Sequence, residues 1–170
     1  MRVESGHGGD IVTQGERDRV VAGEVIVNVG VPRAWDAWTT EDGVRSFFAP
    51  ACNIEPRVGG PYEILFDPDA EPGSRGAEGM TVMAVQPMKM LAFSWNAPPH
   101  LSEVRDQLTH VVVRFEEVDE ERTRVTLRHD GWGDGGQWDD AFAYFERAWF
   151  DAVLPRFARA MDGHPHVWEE

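Results

Sequence analysis

A chain of 170 residues, 42% hydrophobic and 27% charged, is long enough to bury one substantial core and has the balance of an ordinary globule. Its formal net charge of −14 repels phosphate backbones and anionic lipid, which argues against nucleic-acid and membrane partners. The single cysteine, Cys52, rules out an internal disulfide and a cysteine-rich zinc site, no run approaches the ~18 apolar residues of a membrane span, and no apolar signal segment opens the chain, so a cytoplasmic address is expected.

Residues 1–19 are polar and glycine-rich without periodicity, and are expected to form a loose arm. From Val20 the β-branched run VVAGEVIVNVG, bounded by Gly30 and Pro32, predicts a first strand. Pro32 suits the first turn of a helix carrying Trp35 and Trp38 on one face. Thr39 or Thr40 can cap a second short helix, with Glu41 and Asp42 in its first turn, ending before Pro50. Strands then dominate. ACNIEPRV is a predicted strand interrupted by Pro56, and Gly59-Gly60 signals a turn. PYEILFD alternates Tyr62, Ile64 and Phe66 against Glu63, Leu65 and Asp67. After a polar loop come MTVMAVQ, a turn at Pro87-Met88, and MLAFSWNA, with Leu91, Phe93 and Trp95 on one side. A second loop, APPHLSEVRDQ, leads to THVVVRFEEV, which points Val111, Val113 and Phe115 one way. A charged turn precedes TRVTLRHDGW, which aligns Val125, Leu127 and His129.

The final element is the most aromatic. From Gln137 to Gly163, Phe142, Phe145, Trp149, Val153 and Phe157 recur at helical spacing. They stud one side of a rod that would be about 35–40 Å long at 1.5 Å per residue. Asp139 and Asp140 favour its start, Arg156 and Arg159 its end, and Gly163 supplies a stop. Pro155 predicts a bend, because it lacks a backbone donor and crowds the carbonyl of Asp151. Each strand has one apolar face, and only this rod is long enough to cover them. The pattern therefore predicts an antiparallel meander curling round the terminal helix.

The space between sheet and rod is the candidate site. Its lining would be Tyr62, Ile64, Phe66, Phe93, Trp95, Val111, Val113, Trp132, Phe142, Phe145 and Trp149. A dry, filled core and a pocket for an apolar or amphipathic molecule both fit this pattern. His129 is the informative polar position, since alternation points it inward among these residues. It reads either as a buried neutral histidine or as a polar contact for a ligand, and His129→Phe is expected to keep the fold while weakening ligand binding. No catalytic set is identified: there is no GxSxG, no HExxH and no phosphate loop. His164-Pro165-His166 with Glu169-Glu170 lies in a tail without an enclosed shell, so neither metal nor cofactor is expected. The acidic run Glu116 to Glu121 reads as a solvated hairpin or as a dock for a basic partner.

Several segments together resemble a known family: PRAWDAWTTEDGVRSFFAP, VGGPYEI, GAEGMTVMAVQPMKMLAFSW, THVVVRFEEVDEERTRVTLRHDGW and the terminal helix. In this order, across roughly residues 20–162, they resemble homologues of the activator of heat-shock protein 90 ATPase, within the START-like (Bet v 1-like, polyketide cyclase/lipid transport) superfamily. The resemblance implies an α+β helix-grip fold over residues 20–163, followed by a tail at 164–170. In that fold a curved antiparallel sheet of about seven strands wraps the C-terminal helix, and two short helices follow strand one. It also implies that Phe48 joins Tyr62, Phe66, Phe93 and Trp95 around a cavity, and that pairing into a homodimer is in keeping with related folds. It carries over no catalytic residue. Eukaryotic activators have an additional chaperone-engaging domain, and residues 1–19 are too short to be one, so direct chaperone activation is not expected. Three functional readings follow: a hydrophobic-ligand binding protein, a cyclase- or hydrolase-like enzyme using the same cavity, and a co-chaperone-like interaction protein.

Overall fold

A computed structural model describes residues 19–169. The predicted arm, apart from Arg19, lies outside the described residues. The described residues include seven strands: β1 (Val21–Val27), β2 (Ala51–Ile54), β3 (Tyr62–Leu65), β4 (Val82–Gln86), β5 (Met90–Trp95), β6 (Thr109–Asp119) and β7 (Arg122–Asp130). Five of them form an antiparallel sheet in the order β1-β7-β6-β5-β4, and β2 pairs with β3 beside it. The two sheets meet at the Pro61–Thr81 bridge, where Tyr62 N also donates to Met80 O. The sequence leads one to expect a single run of strands. The division arises because the chain leaves extended structure at Ile54, short of Val58, and turns through Pro56 and Gly59.

Alternation places the inward faces as predicted. Leu91, Phe93, Val111, Val113, Val125, Leu127 and His129 are all buried. Strand β5 departs from a one-sided pattern, since Ala92, Ser94 and Asn96 on its other side are buried too. Their polar groups are used: Ser94 Oγ accepts from Thr81 N at 3.0 Å, and Asn96 Nδ2 donates to Gly76 O at 3.0 Å. This satisfies groups that burial would otherwise penalise.

Helix α1 (Val31–Thr39) carries Pro32 in its first turn, and α2 (Glu41–Arg45) follows at once. Thr40 is the cap of α2, its hydroxyl accepting from Gly43 N at 3.0 Å. Thr40→Ala is expected to cost about 1 kcal/mol in urea denaturation. A loss under a few tenths would show that the cap is idle. Gly43 is required for close approach: a Cβ there would lie 2.3 Å from Asp36 O and 2.5 Å from Ala37 Cα. The two helices therefore meet backbone to backbone.

The terminal rod comprises α3 (Gln137–Arg147), a π-helical turn (Ala148–Val153) and α4 (Leu154–Met161). Just before Pro155, where the sequence predicts a bend, the rod carries this widened turn. Leu154 N donates to Trp149 O, five residues back, the bond that defines a π turn. Pro155 has no N–H for Asp151 O, so α-helical pairing was already broken at that point. Phe150 leaves this turn to lie on β1, where a Cβ on Gly23 would come within 2.4 Å of its ring. At the C-terminus Gly163 has φ +90°. His164 N then bonds Arg159 O and Gly163 N bonds Ala160 O, closing the helix with a Schellman motif.

Candidate functional site

The inward side chains of sheet and rod meet as a continuous seam of rings. Trp149, from the π turn, is its centre. Its indole lies 5.6 Å from Phe48, 5.7 Å from Trp95 and 6.1 Å from His129, measured between centroids. On one side the seam runs through Phe48 and Trp95 to Phe66, at 6.0 and 6.3 Å. Phe93 joins Trp95 at 5.4 Å and stacks on Tyr62 at 4.1 Å. On the other side His129 meets Trp132 at 4.2 Å and Phe145 at 5.0 Å, and Trp132 reaches Phe142 at 5.6 Å. Arg19 caps that end, its guanidinium 5.3 Å from the Phe142 ring and 2.6 Å from Asp139.

The predicted lining residues therefore fall into three groups. Phe48, Tyr62, Phe93, Trp95 and Trp149 form the buried middle, with Ile64, Val111 and Val113 also fully buried. His129, Trp132, Phe145 and Phe142 form the end near the start of α3. Phe66 stands apart: it is 47% exposed, because β3 ends at Leu65 and the chain turns away. Phe66 is thus the most exposed ring of the seam.

Four contributors lie outside the lining residues named from the sequence, although the aromatic repeat already sets Phe157 on the rod's apolar side. Trp38, Phe47 and Phe157 pack against one another, and Trp38 and Phe47 also against Phe48, at 5.0–5.6 Å. The spacing of Trp35 and Trp38 was the available signal for the first of these. Thr109 is the fourth, and a threonine opening a strand offers no signal of its own.

His129 is fully buried and both of its nitrogens are engaged. Trp149 Nε1 lies 3.0 Å from Nδ1 and can only donate, so Nδ1 is the acceptor. Nε2 then carries the proton and donates to Thr109 Oγ1 at 2.7 Å, while Thr109 Oγ1 donates to Trp95 O at 3.2 Å. Trp132 Nε1 closes the group by donating to His129 O at 3.0 Å. Burial, with a smaller contribution from His110, holds His129 down to about 3. A second proton would also set two donors face to face at Nδ1. His129 is therefore neutral at physiological pH, with one fixed tautomer.

The other candidate reactive groups are restrained as well. Burial pushes the Tyr62 phenol well above its usual range, and its hydroxyl donates to Trp38 O at 2.9 Å. Burial and the neighbouring Glu41 push the Cys52 thiol up to about 11. Neither is primed to lose a proton near neutrality. His110, on the outward face of β6, lies against Asp130. Among the described residues, no group of three or more His, Cys, Asp or Glu side chains could hold a metal, and no helix is long and apolar enough to cross a membrane.

Two loops flank the exposed end of the seam, and Arg105 ties them together. Its guanidinium donates to Gly73 O at 2.8 Å, to Gly76 O at 2.9 Å and to Ala97 O, with Glu78 at 4.0 Å. A cation bonded to three carbonyls has no periodic signature, so sequence reading gives no hint of it.

An antiparallel sheet closed over one long helix by an aromatic seam, with two short helices after the first strand, defines a helix-grip α+β protein. The chain belongs to the family described as activator of Hsp90 ATPase homolog 1-like protein, whose model matches residues 28–160. No curated protein sequence matches it. Among solved structures it is similar to DynU16, a putative protein in the dynemicin biosynthetic locus, with 22% identity and TM-score 0.64 over 87% of this chain and 49% of that one. It is similar to PFC0360w, an HSP90 activator from Plasmodium falciparum, with 17% identity and TM-score 0.61 over 85% and 98%. It is also similar to the Aha1 dimer from Colwellia psychrerythraea, with 16% identity and TM-score 0.61 over 84% and 96%. At these identities the likenesses establish the fold.

Proposed function

We propose that this chain binds an apolar or amphipathic, ring-containing small molecule, taken up at Phe66 and held along the aromatic seam. The observation that carries the reading is the half-exposed Phe66 ring in continuous contact with the buried Phe48, Trp95 and Trp149. A guest ring would replace Phe66 at the head of the seam. Because Phe66 is already half in water, displacing it gives up only about 1 kcal/mol of burial. A guest covering 150–250 Å² of aromatic surface would recover several times that at about 25 cal/mol per Å². The occurrence of the fold in a protein of the dynemicin locus supports a small-molecule role.

Binding is favoured over catalysis by the state of the polar groups. His129 spends both nitrogens on Trp149 and Thr109, and Tyr62 spends its hydroxyl on Trp38 O. General acid–base work needs a group poised near neutrality and within reach of the substrate. The chaperone reading has behind it the family's name and the likeness in fold to PFC0360w, an HSP90 activator, and no side-chain feature of the seam.

The test is a thermal-shift and tryptophan-quenching screen with naphthalene, fluorene and bicyclic ketone probes. Wild type should show saturable binding to at least one of them. Phe66→Ala should change that affinity at least threefold while leaving stability within about 1 kcal/mol, because the ring is half-exposed. No saturable response from any apolar ring compound would overturn the proposal.

A further inference from the structure

A second site stands on the far end of the rod, independent of the aromatic seam. Arg156, Arg159, His164, His166 and Val167 line a cleft of about 320 Å³ between α4 and the tail that follows it. The chain carries −14 overall, so a cleft whose ionisable lining is solely basic runs against the molecule's own charge. Among the described residues neither Arg156 nor Arg159 forms an ion pair or a side-chain hydrogen bond with another residue. Asp162, three residues beyond Arg159, accepts instead from Asn28 at 3.0 Å.

The cleft is also built. The tail is held by His164 N to Arg159 O at 2.9 Å, His166 N to Ser46 O at 2.8 Å and Trp168 Nε1 to Arg45 O at 2.7 Å. Trp168 covers Arg156, with the guanidinium 5.5 Å from the ring, and His166 meets the same indole at 4.3 Å. A guanidinium stacked on one face keeps its N–H edges free for in-plane recognition of an oxyanion. The carbonyls at the end of α4 are already occupied by Asp162, Gly163 and His164, so they do not compete for those donors or present bare negative ends.

We propose that this cleft binds the phosphoryl group of a small molecule, with Arg156 and Arg159 as its charged donors and Trp168 as the residue that positions Arg156. Two cations match a phosphate dianion, and charge-assisted bidentate bonds from arginine are the strongest donors a protein offers it. Burial, and then the Arg156 charge, hold His166 below its usual range, so it presents an uncharged ring N–H beside them. The exposed Val167 at the rim gives an attached apolar group something to rest on.

The probes are inorganic phosphate and phenyl phosphate, titrated into the full chain at constant ionic strength made up with chloride, and followed by amide NMR shifts. Saturable shifts confined to residues 154–168 are expected, with phenyl phosphate the tighter probe. Arg156→Gln/Arg159→Gln should weaken it at least tenfold, and Trp168→Ala several-fold, with the thermal midpoint essentially unchanged in the arginine variant. Shifts that match chloride alone, or an affinity unaltered in the double arginine variant, would overturn the site. Sedimentation with phosphatidylserine vesicles in the absence of any response to either soluble probe would overturn it too, by placing the chemistry on a lipid surface.

Discussion

Trp149→Ala is expected to lower the free energy of unfolding by about 4–8 kcal/mol in guanidinium denaturation, a large share of the 5–15 kcal/mol typical of a domain. Two losses combine. Deleting a buried indole removes its contacts and leaves a hole between sheet and rod, about 3–5 kcal/mol in comparable substitutions. It also strips His129 Nδ1 of its only donor in a site with no water access, which adds about 1–3 kcal/mol. Trp149→Phe separates them, because it keeps most of the bulk and loses the N–H. It should cost about 1–3 kcal/mol and no more. If the alanine variant lost less than about 2 kcal/mol, the rod would not be the centre of this core.

Acid sensitivity is the second large effect, and it belongs to His129. Folded, the imidazole stays neutral down to about pH 3. Unfolded, it takes a proton near 6.5. Between those values the unfolded chain binds the extra proton, so stability falls as pH falls through that window. One proton corresponds to about 1.4 kcal/mol per pH unit, or on the order of 3 kcal/mol between pH 6.5 and 4.5. His129→Gln offers an amide oxygen to Trp149 and an amide N–H to Thr109 without a titrating group. Denaturation midpoints at pH 7, 6 and 5 should fall more steeply for wild type than for this variant. Parallel slopes would mean that His129 is not held neutral in the folded protein.

Much of this was legible beforehand. The two-residue period of β5, β6 and β7 points the right side chains inward, and the aromatic repeat from Phe142 to Phe157 marks the rod that covers them. Inward direction at His129 follows from Val125 and Leu127 alone. What escaped was cross-chain chemistry. Nothing near Thr109 or Trp149 in sequence indicates that both would close on one imidazole, since 20 positions separate each from His129. Phe66 alternates with Tyr62 and Ile64 as if inward, yet the strand stops one residue earlier, and hydrophobic pattern carries little information about where pairing ends. The division of the sheet is likewise a matter of where Pro56 and the Gly59 turn interrupt pairing, which composition indicates only as a turn somewhere in that span.

The widened turn at Ala148–Val153 sets the rotational phase of everything after it. In a regular α-helix, at about 100° per residue, Trp149 and Phe157 would point some 80° apart across their eight-residue separation. One extra residue taken up by the turn reduces that to about 20°, which brings Phe157 back beneath the sheet beside Trp38 and Phe47. This segment should consequently tolerate the loss of one residue better than the gain of one. Straightening the turn into α-helix at constant length would swing Arg156, Phe157 and Arg159 by about 100°, carrying the phenyl ring outwards and the guanidinium groups away from the tail. Removing one residue from the turn would instead leave a regular helix with Trp149 and Phe157 still about 20° apart.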